Sequence, residues 1–506
     1  MRTDKTPGVY IEERLVLGNS VVPVPTAIPA FVGYTQKNEF NGQSLARKPI
    51  KVTSMVEFVT LFGGGYTTKF DVTEAKQGTP DIILGNPSKG YTLTANAATP
   101  RFLLYDSIRF FYANGGGDCY IVSMGTYETD GKAATMLKKD FEDGIAALKK
   151  EEEITMILIP DALKLPDAQQ YYDLVNANAL AQCVDLKSRI TIVDFVDGKT
   201  PPDDPTTKVF DIFRTAVGSD PSALSYAVAY YPWLDTSVVQ ASEVDIRSIA
   251  TDLSKIIKDP AAAGLLTKLT GEKEAWEKDK SAKNLAALRS THNDLLISSV
   301  DYKQLMKGVL EQLNFLPPGP GMAGIYAQVD DERGVWKAPA NLGLNLVIKP
   351  RHKITQEMQE DMNMPINGKA INAIRSFQGR GAGWIWGART FDGNSNDWRY
   401  VNVRRLLIFL EQSVKGAAFP FVFEPNDQNT WTTIRSMIEN FLLGAWKQGA
   451  LVGSTPEQAF QVLVGLGITM TAQDILEGYL RVTVKVAPSR PAEFIVITFE
   501  QKLQEA

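Results

Sequence analysis

Asp161 and Asp194 each follow an apolar, β-prone run, ITMILIP and RITIVDF, so both fall at or near the C-terminal end of a strand. α/β enzymes place catalytic groups at that position, and a hydrolase or phosphotransferase built on this pair is the first chemistry to weigh. Its other parts are scarce. The only histidines are His292 and His352, the only cysteines Cys119 and Cys183, and no G-x-S-x-G motif occurs. Ser-His-Asp, Cys-His and zinc engines therefore lack components. An Asp beside a strand end is equally an ordinary helix-capping residue. The glycines Gly63, Gly64 and Gly65 are not followed by Gly-Lys-Ser/Thr, and GRGAG (Gly379 to Gly383) runs into the strand-like WIWGART instead of a helix. They read as a helix stop and a turn entering a strand, not as phosphate loops. The expectation is a protein that is not an enzyme, with no catalytic or metal site and no cofactor.

At 506 residues the chain exceeds one hydrophobic core, and about 150 residues per domain predicts roughly three domains. It is 44% hydrophobic and 22% charged, with a formal charge of −5 and a pI near 5.5. That balance gives no general pull on nucleic acid or anionic lipid, so partners are to be sought by shape. Cys119 and Cys183 lie in apolar segments, which predicts free buried thiols in a reducing compartment. Met1 to Lys5 has no apolar run after it, and no later run approaches the ~18 residues of a membrane span. No nucleic-acid contact and no direct membrane insertion are expected, with assembly in the cytoplasm.

The elements that would position such residues alternate. Phe102 to Ala113 predicts an aromatic-rich helix before the strand CYIVSM; helices at 141–150, 167–181 and 209–217 precede ITMILIP, RITIVDF and SYAVAYY. Strands alternating with helices predict a mostly parallel sheet covered on both faces. Ser54 with Glu57 predicts a capped helix over MVEFVTLF. Lys69 to Pro100 reads as loops with short strands in an exposed insertion, and Glu243 to Leu313 as charged helices forming a solvated face. Leu316 to Gly321 (LPPGPG) is a break.

Both ends carry strands with no evident home. TPGVYIEERLVL (Thr6 to Leu17) is β-prone and is followed by Pro23, Pro25 and Pro29, a stiff extended tether leading to AFVGYT. At the other end a helix with apolar residues Trp431, Ile434, Ile438, Phe441, Leu442 and Ala445 is predicted to lie on strands at 460–464 and 480–486. Phe494 to Phe499 is again β-prone, but Pro488 and Pro491 break any tight hairpin to the strand before it. Strands whose backbone groups lack partners in their own domain are candidates for pairing with another chain.

The stretches TPGVYIEE, AFVGYT, VDDERGVWKAPAN (Val329 to Asn341), WGART (Trp386 to Thr390), FEPND (Phe423 to Asp427), LLGAWKQGAL, TPEQAF and PAEFIVITFEQKL (Pro491 to Leu503) together resemble the sheath proteins of contractile phage tails, R-type bacteriocins and related contractile injection systems. The resemblance covers the N-terminal segment and most of the chain after Leu316. Met470 stands where many relatives carry Asn, and Thr270 to Asn284 looks like an added insert. It implies a multidomain α/β and α+β fold: an N-terminal linking arm (1–20), an inner α+β domain from both chain ends (21–36 plus 345–488), a small loop/β-rich insertion (37–100), an outer α/β domain with a helical insert (101–344), and a C-terminal linking arm (489–506). It further implies a helical homo-oligomer around an inner tube protein, with baseplate and terminator or cap proteins as further partners. Neighbours would be joined by lent strands, with Val9, Tyr10, Ile11 and Glu12 in one intersubunit arm and Phe494, Ile495, Val496, Ile497 and Thr498 in the other. The polar side of the last helix, Arg435, Glu439 and Lys447, is a candidate tube-facing surface. The competing expectations are the Asp161/Asp194 hydrolase or phosphotransferase and a non-contracting tube or baseplate component.

Overall fold

The apolar strands between residues 29 and 231 need neighbours on both sides, and they find them in one another. The computed structural model describes residues 21–494, apart from 77, 78, 86, 130, 197, 203, 205–207 and 219. Eight strands form its main sheet: β1 (Pro29–Thr35), β2 (Pro49–Val52), β3 (Cys119–Thr126), β4 (Met156–Leu158), β5 (Ile190–Val193), β6 (Ala227–Tyr231), β7 (Asn372–Phe377) and β8 (Gly381–Trp386). Their spatial order is β8-β7-β6-β5-β4-β1-β3-β2. The six central strands run parallel, and β2 and β8 close the edges antiparallel. This is the mixed α/β architecture expected from the alternation, with helices supplying the crossovers.

The chain packs as two units, residues 21–24 with Leu410–Ser489 and Pro25–Phe409 with residues 490–494. This differs from the expected inner domain of 21–36 plus 345–488. All seven residues of β1 are buried, and only β3 and β4 supply the strands it needs on either side, so AFVGYT belongs to the larger unit. Residues 372–386 join the same sheet through β6. The 37–100 segment is likewise not a separate insertion: β2 is an edge of the main sheet, while Phe70, Val72, Ile82, Leu84 and Leu93 share a second core with Leu266, Leu288, Tyr302, Leu305 and Val309. Gly308 permits that contact, since a Cβ there would lie 2.3 Å from Ile82 Cγ2. The charged helices at 260–313 thus have an apolar inner face as well as a solvated one.

Local expectations hold in detail. Ser54 Oγ accepts the Glu57 N–H at 3.2 Å at the start of the Met55–Phe62 helix, and Gly63 ends it at φ +84°. The Glu57 carboxylate reaches the Thr53 N–H at 2.8 Å, one residue further back than a capping box requires. GRGAG forms the turn into β8, and Cys119 and Cys183 are free and buried. In the smaller unit the Gln428–Lys447 helix is capped by Asp427, whose side chain accepts the Thr430 N–H at 3.0 Å.

Candidate assembly surface

Asp161 and Asp194 sit where the strand ends place them, but both are occupied. Asp161 Oδ1 accepts the backbone N–H groups of Leu103 (2.5 Å) and Leu104 (2.9 Å), and Oδ2 that of Tyr34 (2.7 Å). Leu103 begins the Leu104–Ala113 helix and has no side-chain cap of its own; Asp161 supplies one from another segment. Asp194 Oδ1 accepts the Gly319 N–H at 2.9 Å, at the start of the Gly319–Arg333 helix. Burial pushes Asp161 up to about 6 against the pull of its three N–H bonds. It pushes Asp194 up to about 7, opposed by the Gly319 bond. Carboxylates spent on helix starts inside the core are not presented to a substrate. The capping alternative is the one the geometry realises, with the caps made across the fold instead of to the next helix.

The smaller unit is built differently. β9 (Phe460–Val464) pairs antiparallel with β10 (Val482–Val486), and among the described residues neither has a second neighbour. The Gln428–Lys447 helix lies on this ribbon, Trp431 sharing a small core with Val464 and Met470 that Ile475, Leu480 and Val482 complete. Val482, Val484 and Val486 are half-buried, and Thr483 and Lys485 are exposed, as strict alternation predicts. Arg435 is not free for a partner: its Nη2 donates to Val464 O at 2.6 Å, tying helix to ribbon. Glu439 is half-buried and Lys447 exposed. Within the smaller unit the Val24 N–H donates to Ser413 Oγ at 3.2 Å.

Of the arm residues, Val9, Tyr10, Ile11, Glu12, Ile495, Val496, Ile497 and Thr498 lie outside the described residues. Phe494 is described and is 67% exposed. Just before it, in the larger unit, Glu493 is gripped: Arg389 Nε and Nη2 donate to its two oxygens at 3.0 and 2.5 Å, Asn363 Nδ2 at 2.9 Å and Tyr400 Oη at 3.0 Å. Burial pushes the Glu493 carboxyl up, but these four donors, led by Arg389, outweigh it and hold the group below its usual range. A similar pair joins Arg405 to Asp330 at 3.0 and 2.5 Å, with Arg405 Nη2 also donating to Thr26 O. Arg389, Glu493 and Asp330 lie inside the stretches that carry the resemblance and Arg405 between two of them, yet nothing in their spacing pairs them.

The phage tail sheath C-terminal domain model matches residues 394–502, which take in the helix, the ribbon and Glu493. The tail sheath protein of Vibrio phage KVP40 is 25% identical over 142 residues, 28% of this chain; the alignment spans 21% of that curated relative. Solved structures match along the whole chain. The sheath complex of the PVC extracellular contractile injection system, in its contracted state, is 27% identical, with 99% of each chain covered and a TM-score of 0.58. The helical sheath of the anti-feeding prophage, also contracted, is 27% identical over 99% of this chain and 100% of its own, with a TM-score of 0.60. Domain, sequence and fold comparisons agree, and the chain is similar to contractile tail sheath proteins along nearly its whole length.

Proposed function

We propose that this chain is the structural subunit of a contractile sheath: a helical homopolymer built around an inner tube, whose neighbouring copies are joined by strands lent from the two chain ends. The observation that carries this is the β9–β10 ribbon, whose outer edges have no partner among the described residues. A two-stranded ribbon is marginal on its own, and its free edges offer a row of backbone donors and acceptors to an incoming strand. The β-prone sequences at 6–17 and 494–499 have a length that suits such an incoming strand. Their alternation would set register, and main-chain bonds would give continuity.

Joined this way, the bodies can repack while the lent strands keep them connected, so contraction needs no bond chemistry in the sheath. Small gains per subunit add along the polymer and drive the tube through a target envelope. The particle would be assembled in a bacterial cytoplasm, on a baseplate and under a terminator or cap protein, as part of a phage tail or a phage tail-like particle. Deletion of Met1 to Leu17 tests this. The expected product is soluble and unassembled, and ordinary rods in electron micrographs of the deletion would reject it. Long hollow rods from the intact protein expressed alone would separate a sheath subunit from a tube or baseplate component.

A further inference from the structure

Two stretches 104 residues apart in the chain, WGART and PAEF, meet through Arg389 and Glu493. The Arg389 side chain is 1% exposed, and bonds other than those to the carboxylate hold it in place. Its backbone N–H donates to Asn372 Oδ1 at 2.7 Å, and its carbonyl accepts from Asn372 Nδ2 at 2.8 Å. Its Nη1 donates to the carbonyls of Asn363 (3.0 Å) and Gly393 (2.9 Å). Nε and Nη2 remain, side by side, in the fork that matches a carboxylate. Asn363 Nδ2 and Tyr400 Oη converge on the same point. Glu493 fills it, while its neighbours Ala492 and Phe494 are exposed. One side chain of the tail is plugged into the body, and the chain on either side of it faces outward.

We propose that Arg389, Asn363 and Tyr400 form an anchoring site for the C-terminal segment, a carboxylate receptor filled by Glu493 of the same chain. The site fixes where the residues beyond Phe494 leave the subunit and hence which neighbour they can reach. This rests on the strand lending proposed above. A strand on a free tether searches a large volume before it meets an edge; one that starts from a fixed point has a high effective concentration at that edge. A buried guanidinium left without its carboxylate is strongly unfavourable, so the larger unit is complete only with the tail seated, and the arm is aimed as a consequence of folding.

The test places a nitroxide on Ala492→Cys in the full chain, where the native cysteines are buried and resist labelling, and compares Glu493 with Glu493→Gln. The amide keeps the shape and loses the charge, so the label should become mobile and the critical concentration for rod formation should rise roughly tenfold or more. Tyr400→Phe, which removes one donor, should shift both readouts in the same direction by less. An immobile label and an unchanged critical concentration in Glu493→Gln would overturn the anchor while leaving strand lending intact, provided that deletion of 495–506 abolishes rods. Rods of ordinary form from that deletion would overturn the lending of the C-terminal strand, and the anchor's role with it.

Discussion

Asp161 Oδ2 accepts the backbone N–H of Tyr34 at 2.7 Å, across 127 residues of chain. Gly33 makes the approach possible, since a Cβ there would lie 2.5 Å from the same oxygen. With Oδ1 shared by Leu103 and Leu104, every donor facing this side chain is a backbone N–H. Asp161→Asn is therefore not conservative: whichever way the amide turns, its NH2 meets an N–H. We predict a loss of roughly 1–3 kcal/mol, measured by denaturant unfolding of the free subunit, and an unchanged midpoint would contradict it.

Asp194 predicts the opposite. Its carboxylate has one backbone donor, Gly319, and its pKa is pushed up to about 7 from 3.8. A carboxyl raised on folding binds its proton more tightly in the native state. That contribution is complete below the unfolded value and is lost as the pH rises through about 7. Asp161, pushed up to about 6, adds in the same direction at lower pH. The thermal midpoint should fall from about pH 5 to pH 8. Asp194→Asn, which can still accept from Gly319, should hold or raise the midpoint at pH 8 and flatten the profile above pH 6. A midpoint for Asp194→Asn well below the parent's at pH 8 would show that the ionised form is the stabilising one.

The contrast between these two residues also marks what the sequence could and could not say. ITMILIP and RITIVDF announce buried parallel strands by composition, and a strand's end is a local property, so the placement of Asp161 and Asp194 was legible. Which helix each would cap was not, because Leu103 and Gly319 are 58 and 125 residues away. The same limit governs β1. AFVGYT reads as a strand, but nothing local says that it will lie between β3 and β4, far from the C-terminal ribbon in chain order. Likewise the helix at 428–447 and the alternation at 482–486 were plain from periodicity. That Arg435 would be consumed by the Val464 carbonyl depends on how the two pack.

Packing across the larger unit yields another test. The Leu104–Ala113 and Gly319–Arg333 helices meet where a Cβ on Gly324 would stand 2.4 Å from the Phe111 carbonyl oxygen. Backbone cannot yield as a flexible side chain would, so Gly324→Ala must push the helices apart. We predict roughly 1–3 kcal/mol of destabilisation. The effect should be seen in the free subunit as well as in assembled rods, since it arises inside one chain. Parent-like unfolding of Gly324→Ala would mean that the helices have slack at this contact.

The polar face of the Gln428–Lys447 helix divides into residues with different work to do. Arg435 holds the helix to the ribbon through the Val464 carbonyl, and Arg435→Glu would set a carboxylate against that oxygen, disturbing the edge on which a lent strand must pair. Loss of polymerisation is expected. Lys447 is exposed and Glu439 half-buried, so Glu439→Lys with Lys447→Glu should leave sheath polymerisation intact. If this face holds a tube by charge, the double reversal should separate sheath from tube in co-sedimentation, and the parent's attachment should weaken as salt is raised. Unchanged tube attachment in the double reversal would remove this face from the tube contact, and rods from Arg435→Glu would show that helix and ribbon stay together without the bond.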